Sequence, residues 1–379
     1  MNKAAVRILS IFGTRPEAIK LAPLIRLLQA TDGIDAQVCV TAQHRQMLDQ
    51  VLELFAITPQ YDLNLMRDGQ SPADITHAVL NGVGGVLSQS RPDRVLVQGD
   101  TTTTFAAALA AFYADIPVAH VEAGLRTGNV HAPWPEEMNR RLTTQLADLH
   151  FAPTESSRAN LLRENVADER IEVTGNTVID ALLGAIATIE ADPAQRDDLA
   201  ARFAFIEPDR RLILTTGHRR ESFDGGLERV FRALATLAQR DDVSIVFPMH
   251  LNPNVRKAAD VVLRDTPHVH LIEPLEYLPF VHLMHRAELI ITDSGGLQEE
   301  APSLGKPVLV TREATERMEA VDAGTVQLVG TDGPKLIEWA NRLLDDKAAY
   351  ARMSKATNPY GDGKASERIV QRLLHEDHR

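Results

Sequence analysis

The feature that most constrains the fold is a repeated alternation of short apolar runs with longer segments of helical periodicity. The first half of the chain contains the runs "VRILSIF", "AQVCVTA", "RVLVQG" and "PVAHVEA", and helix-like stretches such as "AIKLAPLIRLLQA" and "TTTTFAAALAAFY" lie between them. Near-continuous apolar runs without polar alternation are typical of parallel strands that are covered on both faces. The alternation therefore predicts a doubly wound α/β fold.

The same alternation restarts in the second half. It contains the strand candidates "RLILTTGH", "SIVFPMH", "HVHLIEP", "ELIITDSGG" and "PVLVTRE". Between the two series lies "IEADPAQRDDLAARFAFIEPDRR", which we interpret as the end of a connecting helix followed by a surface loop. A chain of 379 residues is too long for one small core. We predict two Rossmann-like domains, 1–170 and 171–362, with a C-terminal helix at 363–379 that packs back on the first. Two such domains facing each other would leave a ligand cleft at their strand ends.

Composition narrows the classes of partner. The formal net charge of −12 argues against a protein that binds a nucleic-acid backbone, because such proteins need a basic surface. Cys39 is the only cysteine, so the chain has no intramolecular disulfide, and its apolar surroundings predict a buried, inert thiol. No run reaches the roughly 18 apolar residues of a membrane span. With no signal-peptide pattern either, we expect a cytoplasmic location and no membrane partner.

Polar clusters follow several predicted strands. After the first strand comes "GTRPEAIK", in which Gly13 suits a turn and Pro16 suits a helix start. Arg15 and Lys20 would lie near the N-terminus of that helix, where cations are unfavourable unless an anion joins them. The segment lacks GxGxxG and is not a dinucleotide fingerprint. It therefore predicts either an anion site or solvated charge.

The segment "ITDSGGLQEE" is the strongest candidate for phosphate binding. A buried strand leads into Ser294, Gly295 and Gly296, where a helix is predicted to begin. Bare backbone N–H groups and the helix dipole bind phosphate, and glycines let the anion approach. Glu300, about one turn later, has a carboxylate suited to a ribose diol. The alternative is an ordinary turn, which also favours Ser and Gly, and no lysine follows to make an NTPase P-loop.

Acidic residues also follow the predicted strands. Asp100 comes after "RVLVQG", Glu122 after "PVAHV", and Glu136 begins the next helix. The ends of parallel strands share one edge of a sheet, and acids placed together there are costly unless function or a partner justifies them. His218 ends the first strand of the second series and would face these acids. No spacing of His, Asp or Glu is typical of a metal centre, so we predict no metal.

Nine segments in order resemble one family. They run from near residue 12 to near residue 363 and are "FGTRPEAIK", "QGDTTT", "HVEAGLRTG", "PWPEEMNRR", "GNTVIDAL", "TGHRRESF", "DSGGLQEEAPSLGKPVLV", "TERMEAV" and "NPYGDG". The chain resembles the non-hydrolysing UDP-N-acetylglucosamine 2-epimerases of the bacterial type over nearly its whole length. The resemblance implies two Rossmann-like domains in the glycosyltransferase B arrangement, reversible conversion of UDP-GlcNAc to UDP-ManNAc for surface polysaccharides, no cofactor, and a homodimer.

The resemblance also assigns roles. The implied catalytic residues are Asp100, Glu122, Glu136 and His218, supported by Arg140. The implied substrate-binding residues are Arg15, Lys20, Leu275, Phe280, Ser294, Gly295, Gly296, Glu300 and Arg317. Relatives often carry glutamine where this chain has Leu275, near the uracil pocket. Some members are activated by a second UDP-GlcNAc, and the matching positions are Gln43, Gln46, Arg219 and His250, although Gly69 replaces an arginine found in some of them.

The segment "PWPEEMNRR" contains two pairs of opposite charge at a spacing of four residues. Such pairs share one face of a helix and stabilise each other. Taken alone, the segment is typical of a solvated helix. With the resemblance, we expect Glu136 to face the sugar with Arg140 orienting it, and Glu137 to form a structural pair with Arg141.

The implied chemistry explains why such residues are needed. The C2 proton of a UDP-sugar is not next to a carbonyl, so direct removal is implausible. Elimination of UDP to give 2-acetamidoglucal, followed by re-addition, needs donors for the diphosphate, a base and an acid. Which carboxylate is base and which is acid stays open. The alternatives are a hydrolysing 2-epimerase, a glycosyltransferase and a catalytically silent UDP-sugar sensor.

Overall fold

The protein is described here from a computed structural model that covers residues 5–42, 45–65, 67, 69–217 and 225–376, with the backbone alone for residues 45–47. The chain forms two compact units. The first consists of the chain up to Ala181 together with the chain from Tyr360 onward, and the second runs from Leu182 to Pro359. The second unit is therefore inserted into the sequence of the first.

The first unit contains a seven-stranded parallel sheet in the order β3-β2-β1-β4-β5-β6-β7. The strands are β1 Val6–Phe12, β2 Ile34–Val40, β3 Tyr61–Asp62, β4 Arg94–Gln98, β5 Val118–Val121, β6 Leu149–Ala152 and β7 Ile171–Val173. In the register of the central strands, Ser10 lies opposite both Val38 and Leu96. In the strand order, β4 lies between β1 and β5. Because the strands are parallel, the carboxyl ends of these three strands lie at one edge of the sheet.

Within the described ranges, the first unit contains seven whole α-helices and the start of an eighth. These helices are α1 Arg15–Gln29, α2 Arg45–Leu54, α3 Pro72–Ser90, α4 Thr102–Tyr113, α5 Glu136–Leu146, α6 Glu155–Arg163, the start of α7 Thr177–Ala191, and α16 Ala365–His375. Helix α4 contacts α3 and α5, whereas α1 contacts α2 and α16. Helix α4 is rich in buried alanine, including Ala107 and Ala111. These small side chains let it pack closely against the apolar core that includes Leu9 and Val95.

The second unit contains a six-stranded parallel sheet in the order β10-β9-β8-β11-β12-β13. Its strands are β8 Arg211–Thr216, β9 Val243–Pro248, β10 Val269–Ile272, β11 Leu289–Thr292, β12 Val308–Val310 and β13 Val326–Leu328. Its helices after α7 are α8 Pro193–Arg202, α9 Gly226–Leu237, α10 Pro253–Leu263, α11 Tyr277–Arg286, α12 Gly295–Glu300, α13 Met318–Asp322, α14 Gly333–Asp345 and α15 Lys347–Ser354. Counted from its own first strand, the order is 3-2-1-4-5-6, as in the first six strands of the other unit. The predicted α/β class is confirmed: each unit is a doubly wound sheet of Rossmann type.

Two details differ from the sequence interpretation. The segment after α7 was expected to be a loop, but Asp192 caps a second helix there, α8, in which Pro193 is the first residue. Strand β7 pairs with β6 and so belongs to the first sheet. For that reason the chain passes into the second unit after Ala181, not at residue 170 as the sequence suggested. None of the helices in the described ranges is long and apolar enough to cross a membrane.

Candidate active site

Glu122 lies at the centre of the polar groups in the first unit. It directly follows β5, adopts a left-handed φ of +64°, and its side chain is only 6% exposed. Its Oε1 lies 2.5 Å from Lys20 Nζ and accepts from Asn176 Nδ2 at 2.8 Å. Its Oε2 accepts from the Nε2 of Gln98. A buried carboxylate with donors on both oxygens is held in one orientation, and these donors favour its ionised form.

Asp100 lies beside Glu122, one strand away. It follows Gly99, whose φ of +72° lets the chain turn sharply at the end of β4. Arg140 Nη2 lies 2.5 Å from Asp100 Oδ2, and Asn139 Nδ2 donates to the Asp100 carbonyl oxygen at 3.0 Å. Burial raises the pKa of Asp100, with a further rise from Glu122, and these effects outweigh the opposite effect of Arg140. Asp100 therefore holds a proton more readily than an ordinary aspartate does.

His120 fixes the turn that carries Asp100. It lies in β5, is fully buried, and its Nε2 lies 2.7 Å from the Gly99 carbonyl oxygen. Burial lowers the pKa of His120 to about 3, so the ring is neutral. Since a carbonyl can only accept, the proton must be on Nε2. This neutral ring ties the end of β4 to β5, two residues before Glu122.

Glu17 is a buried acid that the sequence analysis did not single out. It is 2% exposed and accepts from the backbone N–H groups of Gly13 at 3.1 Å and Thr14 at 2.7 Å. It also accepts from the hydroxyls of Thr101 at 2.7 Å and Thr104 at 3.0 Å. Glu17 thus joins the turn after β1 to the start of α4. The sequence signal that was missed is a capping box, Thr-x-x-Glu, ahead of an apolar helix.

Position 13 requires glycine because there is no room for a side chain, and not because its backbone conformation is unusual. A Cβ added to Gly13 would lie 2.1 Å from Thr41 Oγ1 and 2.7 Å from Thr103 Oγ1. The end of β1 therefore lies directly against the start of α4. Arg15 and Lys20 both lie on α1, as predicted, and are half-buried. Lys20 contacts Glu122, so its charge is directed at the carboxylate.

Helix α5 begins at Glu136. Glu137 is completely buried, and its carboxylate accepts from the backbone N–H groups of Thr127 at 3.0 Å and Gly128 at 3.3 Å. Arg141 Nε lies 3.1 Å from Glu137 Oε1. The predicted structural pair of Glu137 and Arg141 is therefore present, and it anchors the loop that precedes α5.

The expected pairing of Arg140 with Glu136 is corrected by the structure. Arg140 contacts Asp100, and its Nη1 lies 3.3 Å from Glu137 Oε2. Residues three apart on a helix are neighbours as well as residues four apart, so Arg140 can reach Glu137. The end of β4 then supplies a better partner in Asp100. Glu136 is half-buried in the first turn of α5.

In the second unit, β11 leads into Ser294, which occupies the N-cap position of the short helix α12 without a capping hydrogen bond from its side chain. A Cβ added to Gly295 would lie 2.9 Å from Arg317 Cζ. One added to Gly296 would lie 3.7 Å from Glu300 Oε2 and 3.9 Å from Ser294 Oγ. The structure therefore brings together the predicted phosphate and ribose residues, since the glycine backbone lies against both the guanidinium and the carboxylate.

Arg317 is held by two carboxylates. Its Nε lies 3.0 Å from Glu299 Oε1, and its Nη1 lies 2.5 Å from Glu316 Oε1. Burial disfavours the charged form of Glu316, but Arg317 and then Arg312 outweigh it and lower the pKa of Glu316 to about 2. The guanidinium is thus fixed beside Gly295 before any anion binds.

The remaining predicted residues lie elsewhere or outside the described ranges. Leu275 and Phe280 flank the start of α11 and are half-buried. His250 is exposed after β9, and its Nδ1 accepts from the Asn252 N–H at 3.1 Å. His218, Arg219 and Gln43 lie outside the described residues, and Gln46 lies in α2 with its side chain undescribed.

Within the part of the chain that the structure describes, no group of three or more His, Cys, Asp or Glu side chains could hold a metal ion. Cys39 is buried in β2. Burial, with a smaller effect of Asp62, raises the pKa of its thiol to about 12. The thiol therefore stays protonated at neutral pH and is a poor nucleophile.

Two Rossmann-type sheets and acids clustered at strand ends define the class as an α/β enzyme with a fold like that of the glycosyltransferase B proteins. The family model for UDP-N-acetylglucosamine 2-epimerase matches residues 26–374. The chain is 59% identical to the UDP-N-acetylglucosamine 2-epimerase of Escherichia coli K12 over 97% of this chain and 98% of that protein. The chain therefore belongs to the UDP-N-acetylglucosamine 2-epimerase family, and it is an isomerase.

Two solved structures are similar over nearly the whole chain. The crystal structure of UDP-GlcNAc 2-epimerase from Neisseria meningitidis, bound to UDP-GlcNAc, shows 52% identity and a TM-score of 0.91 over 98% of this chain and 100% of that chain. The Methanocaldococcus jannaschii enzyme, in complex with UDP-GlcNAc and UDP, shows 37% identity and a TM-score of 0.81 over 98% and 100%. The likeness thus extends over both units.

Proposed function

We propose that the protein interconverts UDP-GlcNAc and UDP-ManNAc by inversion at C2, without net hydrolysis. The observation that carries this proposal is the pair of neighbouring carboxylates in different environments. Glu122 is surrounded by donors, whereas burial raises the pKa of Asp100. Inversion of a C–H centre requires a group that accepts a proton on one face and a group that donates one to the opposite face, and the two environments suit these two tasks.

The reaction proceeds by elimination and re-addition. A base removes the C2 proton, the electron pair of the C2–H bond forms the C1–C2 double bond, and the C1–O bond breaks so that UDP leaves with the electron pair of that bond. The reverse sequence adds a proton to the other face of C2 and returns UDP to C1. Glu122 fits the base on one face of C2, and Asp100 fits the acid that returns a proton to the other face. Glu136 is proposed as the further carboxylate that exchanges protons with the sugar.

The remaining roles follow from charge and position. Gly295 and Gly296 offer backbone N–H groups to the diphosphate. Ser294 offers its hydroxyl, because its own N–H donates to Thr292 Oγ1 at 2.9 Å. Arg317 offers a guanidinium already fixed beside the glycines. This arrangement stabilises the charge that develops on departing UDP. We propose that Arg15 and His218 assist the departing diphosphate and that Lys20 neutralises Glu122. Glu300 is assigned to the ribose, and Leu275 and Phe280 to the uracil. Arg140 holds Asp100.

Proton NMR of UDP-GlcNAc with the enzyme in D₂O tests the proposal. We expect UDP-ManNAc to appear with deuterium at C2 and with no free sugar. Free ManNAc plus UDP would identify a hydrolysing epimerase. An unchanged spectrum would refute the proposal and leave a glycosyltransferase or a UDP-sugar sensor.

We also propose a homodimer in the cytoplasm that supplies ManNAc for surface polysaccharides. The homodimer is supported by an apolar surface on the first unit. Phe112 and Tyr113 are 58% and 71% exposed at the end of α4, and Met138 and Leu142 are exposed on the adjacent α5. Large apolar side chains that stay exposed on adjacent helices are candidates for an interaction surface. Sedimentation of wild type and Tyr113→Glu tests the dimer, and a sedimentation coefficient independent of concentration and equal to that of a monomer would refute it.

A second UDP-GlcNAc site is proposed at Gln43, Gln46, Arg219 and His250, with activation as its effect. Its support is the match of these positions to members of the family that are activated in this way. Initial rates measured against UDP-GlcNAc concentration test it. Sigmoidal kinetics that become hyperbolic in His250→Ala are expected, and hyperbolic kinetics in the wild type would refute the proposal.

A further inference from the structure

Two amide side chains hold the Glu122 carboxylate from different parts of the first unit. Gln98 is the last residue of β4, is 2% exposed, and donates from Nε2 to Glu122 Oε2. Asn176 lies between β7 and α7, is 3% exposed, and donates from Nδ2 to Glu122 Oε1 at 2.8 Å. Neither amide titrates, so neither can act as the acid or the base of the reaction.

The orientation of the Asn176 amide is fixed by its other contacts. Its Oδ1 accepts from the backbone N–H of Val178 at 3.0 Å. Because that oxygen must face an N–H group, the amide nitrogen is the atom directed at Glu122. The backbone N–H of Asn176 donates to the Tyr360 carbonyl oxygen at 2.7 Å. Asn176 is thus anchored through both its backbone and its side chain.

Glu122 needs such support because of its backbone conformation. Its φ of +64° is uncommon for a residue other than glycine and persists only where the surroundings impose it. The amides occupy different oxygens, so the carboxylate cannot rotate without breaking a hydrogen bond. They add no charge, so Lys20 alone among these three contacts offsets the negative charge of Glu122.

We propose that Gln98 and Asn176 are positioning residues for Glu122, which hold its carboxylate in one orientation and in the ionised form. The proposal rests on the role proposed above for Glu122 in proton transfer at C2. Groups that orient metal-ligating side chains typically contribute about 10–100-fold to activity, and we expect a factor of this size for groups that orient a reacting carboxylate.

Asn176→Ser is the main test. The serine hydroxyl can still accept from the Val178 N–H, but it is too short to replace the contact with Glu122. We expect kcat to fall by about 10–100-fold while the KM for UDP-GlcNAc changes by less than about threefold. Asn176→Asp also keeps the accepting oxygen but sets a second negative charge against Glu122. It should lose more activity than Asn176→Ser, because like charges in contact destabilise the ionised form.

Gln98→Met removes the second donor at similar volume and should lower kcat in the same way. Asn160→Ser is the matched control, because Asn160 lies in the same unit and donates from Nδ2 to the Gly124 carbonyl oxygen at 2.8 Å without contacting Glu122. It should keep the kcat of the wild type. Thermal melting of every variant identifies those that are folded, and only folded variants enter the comparison.

A double-mutant cycle with Glu122→Gln separates positioning from a general structural role. If Asn176 acts through the carboxylate, then adding Asn176→Ser to Glu122→Gln should change the residual rate by less than about twofold. The same 10–100-fold loss in both backgrounds would overturn the inference. So would folded Asn176→Ser and Gln98→Met enzymes that keep the kcat of the wild type. A wild-type enzyme that does not convert UDP-GlcNAc would instead refute the proposed function, so the two failures are distinguishable.

Discussion

The two units share a strand order but use the carboxyl edge of their sheets in opposite ways. In the first unit, acids occupy the strand ends and cations hold them, with Lys20 against Glu122 and Arg140 against Asp100. In the second unit, a cation occupies the corresponding edge and acids hold it, with Glu299 and Glu316 against Arg317. The topology fixes where polar loops gather, and the side chains decide their chemistry.

The difference separates the work of the two units. A carboxylate held by donors and cations is suited to proton transfer, whereas a guanidinium beside bare glycine backbone is suited to an anion. Changes at the first edge should therefore lower the rate of the chemical step, and changes at the second should weaken nucleotide binding.

Glu122→Gln should have the largest effect. Loss of a positioned acid or base typically costs about 10²–10⁴-fold in rate, so kcat should fall by that factor while the Kd for UDP stays within about threefold. Steady-state kinetics and calorimetric titration of UDP measure the two quantities. Glu155→Gln is the control, because the side chain of Glu155 is 77% exposed. An equal loss of UDP affinity would show that Glu122 holds the nucleotide.

Glu17→Gln should mainly reduce stability. The amide can accept at only one of its two ends, so some of the four buried donors around Glu17 lose their partner, at a cost of about 1–3 kcal/mol. Urea denaturation measures the loss. The first unit offers a matched comparison, because Ser71 and Asp74 form an exposed capping box at the start of α3. Asp74→Asn should cost less, and equal losses would argue that burial is unimportant.

Gly295→Ala should weaken UDP binding by about tenfold, which corresponds to about 1.4 kcal/mol. Its Cβ would lie 2.9 Å from Arg317 Cζ and would displace a guanidinium that two carboxylates hold in place. The control is Gly184→Ala in α7, where nothing lies within 4 Å of an added Cβ. That variant should bind UDP normally and be more stable by about 0.4–1 kcal/mol. If Gly295→Ala binds UDP as tightly as the wild type does, then Arg317 is not part of the nucleotide site.

Asp242→Asn should have the smallest effect, seen only in the pH dependence of stability. Asp242 precedes β9 at the opposite edge of the second sheet, and hydrogen bonds from Arg240 and then Arg211 lower its pKa from 3.8 to about 2. A carboxyl whose pKa is lowered by folding stabilises the folded state at any pH above its ordinary pKa. This contribution is lost as the pH falls toward the pKa of the folded state. Because the side chain is 44% exposed, the effect should stay below about 1 kcal/mol. Urea midpoints of wild type and variant should differ at neutral pH and converge near about pH 2. A difference that does not change with pH would contradict this assignment.

Much of the fold was accessible from the sequence because its main strands are long apolar runs. Val6–Phe12 is the predicted segment itself, and Arg211–Thr216 lies within its predicted segment. Ile171–Val173 was missed, because three residues carry too little pattern to mark a strand. Its pairing with β6 is a tertiary property, so the passage into the second unit was placed too early.

The position of a site residue could be predicted from the sequence where the sheet topology alone determines it. Asp100 and Glu122 lie together because parallel strand ends share an edge. Their partners were not predictable, because those contacts join distant parts of the chain. Gln98 and Asn176 lie 24 and 54 positions from Glu122. Arg140 was assigned to a neighbour on its own helix, yet its contact with Asp100 spans 40 positions.

The two places where the chain passes between the units lie in neighbouring segments of the first unit. The chain leaves the first unit within α7, after Ala181, and returns at Tyr360. A Cβ on Gly175, which lies just before α7, would be 3.3 Å from Gly361 Cα, so the segment that leads to the exit is in contact with the segment that follows the return. An insertion whose two junctions touch adds little loop-closure entropy to its host. The first unit can therefore be regarded as a host domain into which the second unit is inserted at little entropic cost.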